Sequence, residues 1–218
     1  MTLNKHSTIK YFQKGTKPKV IFLAGTHGDE HEVIDVAAEV ISEHQHLLPD
    51  FIFIPEVSPS AVNSKTRKNK WGRDVNRQFR HNTVDPEARA TMELLRNNEV
   101  EFCISFHEDI DRKEKFYFYD SKKMSSNKLT TFRSKMRKHG IKLFSGVDDP
   151  NLNYVIDEGY WHIKGIPDTE IGAMLDWSVA NGISKRTMEI EIPGKADIKL
   201  KKKIVNSFFE NMVLPLTQ

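Results

Sequence analysis

Residues 20–30 read VIFLAGTHGDE. Val20 to Ala24 is a short apolar run rich in β-forming side chains, and Gly25-Thr26-His27-Gly28 forces a tight turn before an amphipathic helical pattern begins. The stretch predicts a strand, a loop and a helix. A buried parallel strand that ends in a glycine-bearing loop delivers its next polar side chains to the carboxyl edge of the sheet, where open α/β folds carry their sites. Here those side chains are His27 and Glu30. An imidazole and a carboxylate three residues apart can turn to one side of a helical turn and grip a metal ion, and zinc suits the pair. The spacing alone is weak, because a glycine-flanked histidine is more often an ordinary loop residue.

Working outward, Glu32 to Ile41 places Val33, Ile34, Ala37, Ala38 and Ile41 at helical spacing, and Pro49-Asp50 closes the connection to a second apolar strand, Phe51–Val57. A β-run joined through a helix to another β-run is the crossover unit of a sheet with parallel neighbours, so the fold class is α/β. Upstream, Ser7–Phe12 reads as a short edge strand. Downstream, Ser58–Phe79 is polar, basic and too irregular for helix or strand, which predicts a loop. Its arginines suit a site at the same sheet edge, since a guanidinium clamps a carboxylate by two hydrogen bonds or meets an oxyanion. Pro86–Asn97 follows as a helix with Ala88, Met92 and Leu95 on one stripe, then a strand, Phe102–Phe106, ending at His107-Glu108-Asp109. The plain reading of His107 is a strand-end histidine paired with an acid.

With 218 residues, 38% of them hydrophobic and 29% charged, the chain suffices for one well-buried core, and residues 1–218 are read as a single domain. The 33 basic and 30 acidic side chains nearly balance, giving no electrostatic reason to expect nucleic acid or a membrane as partner. A single cysteine, Cys103, excludes an intrachain disulfide and a cysteine-based metal cluster, so any metal must be held by histidine and carboxylate. No stretch has signal-peptide or membrane-span character, and the expected location is cytoplasmic.

Four motifs in order, His27-x-x-Glu30, Ser58-Pro59-x-Ala61 with Arg67 and Asn69, Asp74-Val75-Asn76-Arg77-Gln78-Phe79, and Phe106-His107-Glu108-Asp109, resemble those of zinc carboxypeptidases and their succinylglutamate desuccinylase and aspartoacylase relatives. Ser58 stands where an Asn is common, and Val75 where a Leu is usual. The resemblance covers roughly residues 20 to 212, in pattern only through the middle third, and the motifs are specific as an ordered set. It implies a mixed, largely parallel central sheet flanked by helices on both faces, carrying one zinc ion. The ligands implied are His27, Glu30 and His107, which leave a fourth position for water, as in hydrolytic sites.

The second half fits the same pattern. Lys115–Tyr119 reads as a strand, Lys128–His139 as a basic helix, and Ile171–Ile183 resembles the family's Asp-Trp-containing helix before the catalytic strand. In that strand, Thr187–Ile192, period-two geometry sends Glu189 and Glu191 to one face, and either could be the general base. The family's Glu-x-Pro ending, followed by a terminal helix (here Ile198–Met212), selects Glu191, with Glu189 as the rival alignment. The resemblance further implies that Arg67 steadies the oxyanion and that Asn76 and Arg77 hold a substrate carboxylate. Glu108 and Asp109 could orient a ligand histidine or stand as solvated acids, and Leu175 could line an apolar pocket or belong to a helix stripe. The tyrosine of the pancreatic-type enzymes has no matched position: spacing puts it on or near Asp168, while Tyr154 and Tyr160 fall too early. The expectation is a zinc-dependent hydrolase of metallocarboxypeptidase type, cleaving an amide next to a carboxylate-bearing residue of a small peptide. The alternatives are a deacylase of an N-acyl amino acid, and a non-catalytic metal-binding protein of the same fold.

Overall fold

A computed structural model of the chain describes residues 1–149, 154–164 and 170–217. Its centre is a nine-stranded mixed sheet with helices on both faces. The strands are β1 (Thr2–His6), β2 (Ile9–Lys14), β3 (Val20–Leu23), β4 (Phe51–Ile54), β5 (Phe102–Asp109), β6 (Lys115–Asp120), β7 (Lys142–Leu143), β10 (Tyr160–His162) and β11 (Thr187–Pro193). They lie in the order β1-β2-β4-β3-β5-β11-β6-β10, with β7 beside β6. A separate two-stranded ribbon is formed by β8 (Gly146–Asp149) and β9 (Tyr154–Ile156). The β4-β3-β5-β11 centre is parallel, whereas β6 runs antiparallel to β11.

Why this sheet is two-sided follows from β3. All four of its residues are apolar and fully buried, as expected of a strand covered on both faces. Val20 and Phe22 join one core with α1 (Glu32–His44) and α6 (Ile198–Phe208), with α4 (Ser126–Lys138) further along the same face. Ile21 and Leu23 join the other with α3 (Pro86–Leu95) and α5 (Met174–Ala180). Helix starts are locally encoded. Asp85 accepts hydrogen bonds from the backbone N–H groups of Glu87 and Ala88 with Pro86 at the first helical position, and Asp197 caps α6 through Leu200 N–H.

Several predicted elements change. The single edge strand at Ser7–Phe12 is the hairpin β1–β2, turning at Ser7 with φ of 53°. The loop Ser58–Phe79 contains a short helix α2 (Pro59–Ser64) and a 3-10 turn (Val75–Arg77), because Pro59 opens the first and Asp74 caps the second through Asn76 N–H. His107, Glu108 and Asp109 lie inside β5 rather than beyond it, since β11 continues to pair as far as Pro193 opposite Asp109. The terminal helix ends at Phe208, followed by a π turn (Phe209–Val213) and α7 (Leu214–Thr217). Strands β7 to β10 are short and carry no apolar run that sequence periodicity detects. Among the described residues, no helix is long and apolar enough to cross a membrane.

Candidate metal centre

After β3 the chain turns through Gly25, held at φ of 60°, and reaches His27 and a 3-10 turn, Gly28–Glu30. This loop packs directly on α2. A Cβ on Gly28 would lie 1.8 Å from the Ala61 carbonyl oxygen, and Gly28 N–H donates to the Thr66 carbonyl at 2.9 Å. Only glycine permits that approach, and with it the aim of His27 and Glu30. His107 arrives from β5, two strands' width from β4, and the parallel register sets Glu191 of β11 opposite it.

The three side chains implied as ligands converge. Nδ1 of His27 lies 2.6 Å from one Glu30 carboxylate oxygen and Nδ1 of His107 lies 2.8 Å from the other. One potential donor atom from each falls within 4.8 Å of the others, and all three residues are buried. The outer nitrogens are held too: Nε2 of His27 is 3.1 Å from Asp74 Oδ1, and Nε2 of His107 is 2.9 Å from Ser105 Oγ. Both imidazoles thus turn Nδ1 inward, an arrangement in which partners on the outer nitrogen fix ring orientation. Two imidazole nitrogens and one carboxylate, with no thiolate, form a donor set that fits a divalent ion of zinc type.

Electrostatics follow from this packing. Burial disfavours ionised Glu30, but the His107 and His27 rings outweigh it and hold the carboxyl well below the usual carboxylate range. Burial opposes charge on His107 as well, yet Glu30 and Glu189 push it up to about 10. His27 is raised despite burial by hydrogen bonds to Asp74 and Glu30. For Glu191, burial and the neighbouring Glu189 raise the carboxyl well above its ordinary value, against the pull of His107. Among the described residues Glu191 has no hydrogen-bond or ion-pair partner. The two glutamates therefore differ: a Glu189 oxygen stands 3.7 Å from Nε2 of His107, on the ring edge away from the Nδ1 cluster.

Arg67 donates from Nε to Asp74 at 3.0 Å, and its Nη1 lies 3.7 Å from Glu30. Asn76 accepts the Met174 N–H at 3.0 Å through its side-chain oxygen, which fixes α5 and leaves its amide nitrogen as a donor. Arg67, Asn76 and Arg77 line one cleft of about 340 Å³ with His27, Glu30, His107, Glu189 and Glu191. Leu175 does both things expected of it, lining the cleft while packing in the α3–α5 core. Neither reading of Glu108 and Asp109 holds. Glu108 pairs with the buried Lys201 at 2.5 Å, and Asp109 binds Arg112 and the Tyr117 hydroxyl.

Other cleft residues carried no motif. Ser105 sits two residues before His107 on the same strand face, a signal that period two could have supplied. Tyr117, Tyr119 and Asp148 reach the cleft from β6 and β8, and Tyr154 lines it although spacing had put it too early. Asp168 lies outside the described residues.

No family model matches the chain, and no curated protein sequence does. Solved structures do match its fold. A provisionally named metallopeptidase from Shewanella amazonensis superposes with a TM-score of 0.76 at 19% identity, covering 99% of this chain and 87% of that one. The murein-tripeptide amidase MpaA from Escherichia coli gives 0.56 at 16% identity, covering 91% and 86%. An aspartoacylase family protein from Mesorhizobium loti gives 0.58 at 18% identity, covering 92% of this chain and 60% of that one. The chain has the fold of these metallopeptidase-like and acylase-like proteins.

Proposed function

We propose that this chain is a zinc-dependent hydrolase of metallocarboxypeptidase type, cleaving the amide bond next to a carboxylate-bearing residue of a small peptide. The observation that supports it most is the convergence of His27 Nδ1, Glu30 and His107 Nδ1, with the unpartnered Glu191 on the adjoining strand of the same cleft. A divalent ion held by these three residues supplies Lewis acidity toward the amide carbonyl and makes a water molecule acidic enough to attack near neutral pH.

The chain's own groups do the rest. Arg77 and the amide nitrogen of Asn76 bind the substrate carboxylate, which sets the scissile carbonyl over the His27–Glu30–His107 cluster. Glu191 takes a proton from the attacking water as the new C–O bond forms, and returns it to the amide nitrogen as the C–N bond breaks. Arg67 stabilises the negative charge that develops on the carbonyl oxygen. Asp74 and Ser105 keep the two imidazoles oriented throughout.

The test is metal analysis of the purified protein, followed by assay of short peptides against N-acyl amino acids with wild type and Glu191→Gln. One bound zinc and peptide turnover are expected, with kcat in the variant lower by about 10²–10⁴ at unchanged metal content. A metal-free protein with no uptake, or a fully active Glu191→Gln, overturns the reading.

A further inference from the structure

The cleft has two walls of different charge. The first, from residues 67–77, is cationic. Arg67 is tied to Asp74, whereas Arg77 donates to the Asn76 carbonyl at 2.8 Å and, among the described residues, meets no carboxylate at ion-pair distance. The second wall lies across the Glu191 strand. Tyr117 stands opposite Glu191 and Tyr119 opposite Glu189 in the β11–β6 register, with Asp109 and Asp148 beside them.

This second wall is a hydrogen-bond network in which every carboxylate oxygen of Asp109 and Asp148 has a donor, Asp111 N–H among them, but in which carboxylates outnumber cations. The Tyr117 hydroxyl lies 2.6 Å from Asp148 Oδ1 and 2.9 Å from Asp109 Oδ2, yet a phenol has one proton and serves one acceptor at a time. Tyr119 gives its proton to the other Asp148 oxygen. Arg112 bridges Asp109 and Asp148, its guanidinium stacked 3.5 Å from the centre of the Phe144 ring. Two carboxylates thus share one guanidinium, leaving an excess negative charge, and Glu189 and Glu191 stand next to it on the cleft floor. A tyrosine-lined, acid-rich cleft surface with an excess of carboxylate over cation fits an ammonium, which brings the balancing positive charge. A carboxylate arriving there would find like charges and, among the described residues, no unengaged cation.

Resting on the hydrolase reading above, we propose that the acyl half of the substrate carries a free cationic amino group seated on the cleft-facing side of Asp109, Asp148 and Tyr117. With the leaving half's carboxylate on Arg77, the substrate is then a very short peptide whose unblocked amine lies close to the scissile bond. Amides whose acyl half ends in a carboxylate, such as succinyl compounds, are excluded by the same wall. The two ends of the substrate have opposite charge because the two walls do.

Three substrates sharing one leaving residue test this: a free-amine alanyl dipeptide, its N-acetyl form and its N-succinyl form. The expected order of kcat/KM is free amine over acetyl by tenfold or more, with succinyl lowest, and in Asp148→Asn the first ratio falls toward one. Binding of alaninamide and N-acetylalaninamide to metal-free wild type, followed by NMR shifts, reads the same subsite without turnover. Alaninamide alone should perturb the cleft signals, and this measurement stands even where Asp148→Asn does not fold. Equal or reversed kcat/KM ratios, or equal binding of the two amides, overturn the proposal. Selective alaninamide binding with hydrolysis of none of the three would sustain the cation subsite and remove the hydrolase reading instead.

Discussion

The two edges of the central sheet both bury charge, and they use it differently. At the edge where β11 begins, Arg186 donates to both oxygens of the fully buried Asp120 at 2.9 and 2.5 Å, and Lys122 N–H adds a third hydrogen bond at 2.9 Å. Both Asp120 oxygens are taken. At the edge where β11 ends, His27 and His107 both turn Nδ1 to the Glu30 carboxylate, and Glu191 has no partner among the described residues. The lesson is that burial of charge alone does not mark a site. A satisfied pair is structural, whereas several groups converging on a shared space with capacity left over are poised to hold something else.

The comparison predicts that equivalent mutations at the two edges separate. The largest effect is expected from His107→Ala, which should reduce bound metal and turnover to background in a protein that keeps its circular dichroism spectrum. Elemental analysis beside an activity assay checks this, and retention of one metal per chain would break the distinction. Next is Arg186→Leu, which leaves Asp120 buried without its cation and should cost about 3–5 kcal/mol of stability in denaturant titration. Metal content and turnover per folded molecule should stay at wild-type level, and loss of metal would show that the far edge is not merely structural.

A smaller effect separates binding from chemistry within the cleft. Arg77→Ala removes a charge-assisted contact worth about 1.5–3 kcal/mol, so KM should rise roughly 10- to 100-fold with kcat little changed. A fall in kcat at constant KM would assign Arg77 to the transition state instead. The least effect belongs to Cys103, which lies on β5 four positions before His107 but faces the α3–α5 core. Burial pushes its thiol well above the ordinary range, so a disulfide reagent should fail to label the native protein and label it fully once denatured.

Much of this was legible in the chain, and the reasons are specific. The β3–loop–α1 unit could be read because strand, turn and amphipathic helix are each set by neighbours within a few residues. His27 and Glu30 share one short turn, so their spacing carried their geometry. The segment 58–79 was less legible. Its helix and 3-10 turn are held by tertiary partners, among them Glu87, which accepts from the Ser58 hydroxyl and the Ser60 N–H. The acidic cleft wall was not legible at all, since Tyr117 and Asp148 meet only after a ribbon folds back against β6.

Local sequence therefore determined the α/β alternation, the two-sided burial of the strands and the short motifs, because periodicity, capping and glycine turns act over one or two helical turns. The tertiary structure decided which distant side chains share a space. His107 meets Glu30 across 77 residues, and parallel register brings Glu191 opposite it while leaving Glu189 at the far edge of the ring. Register is a property of paired strands, and the partner strand lies too far along the chain for any local pattern to specify it.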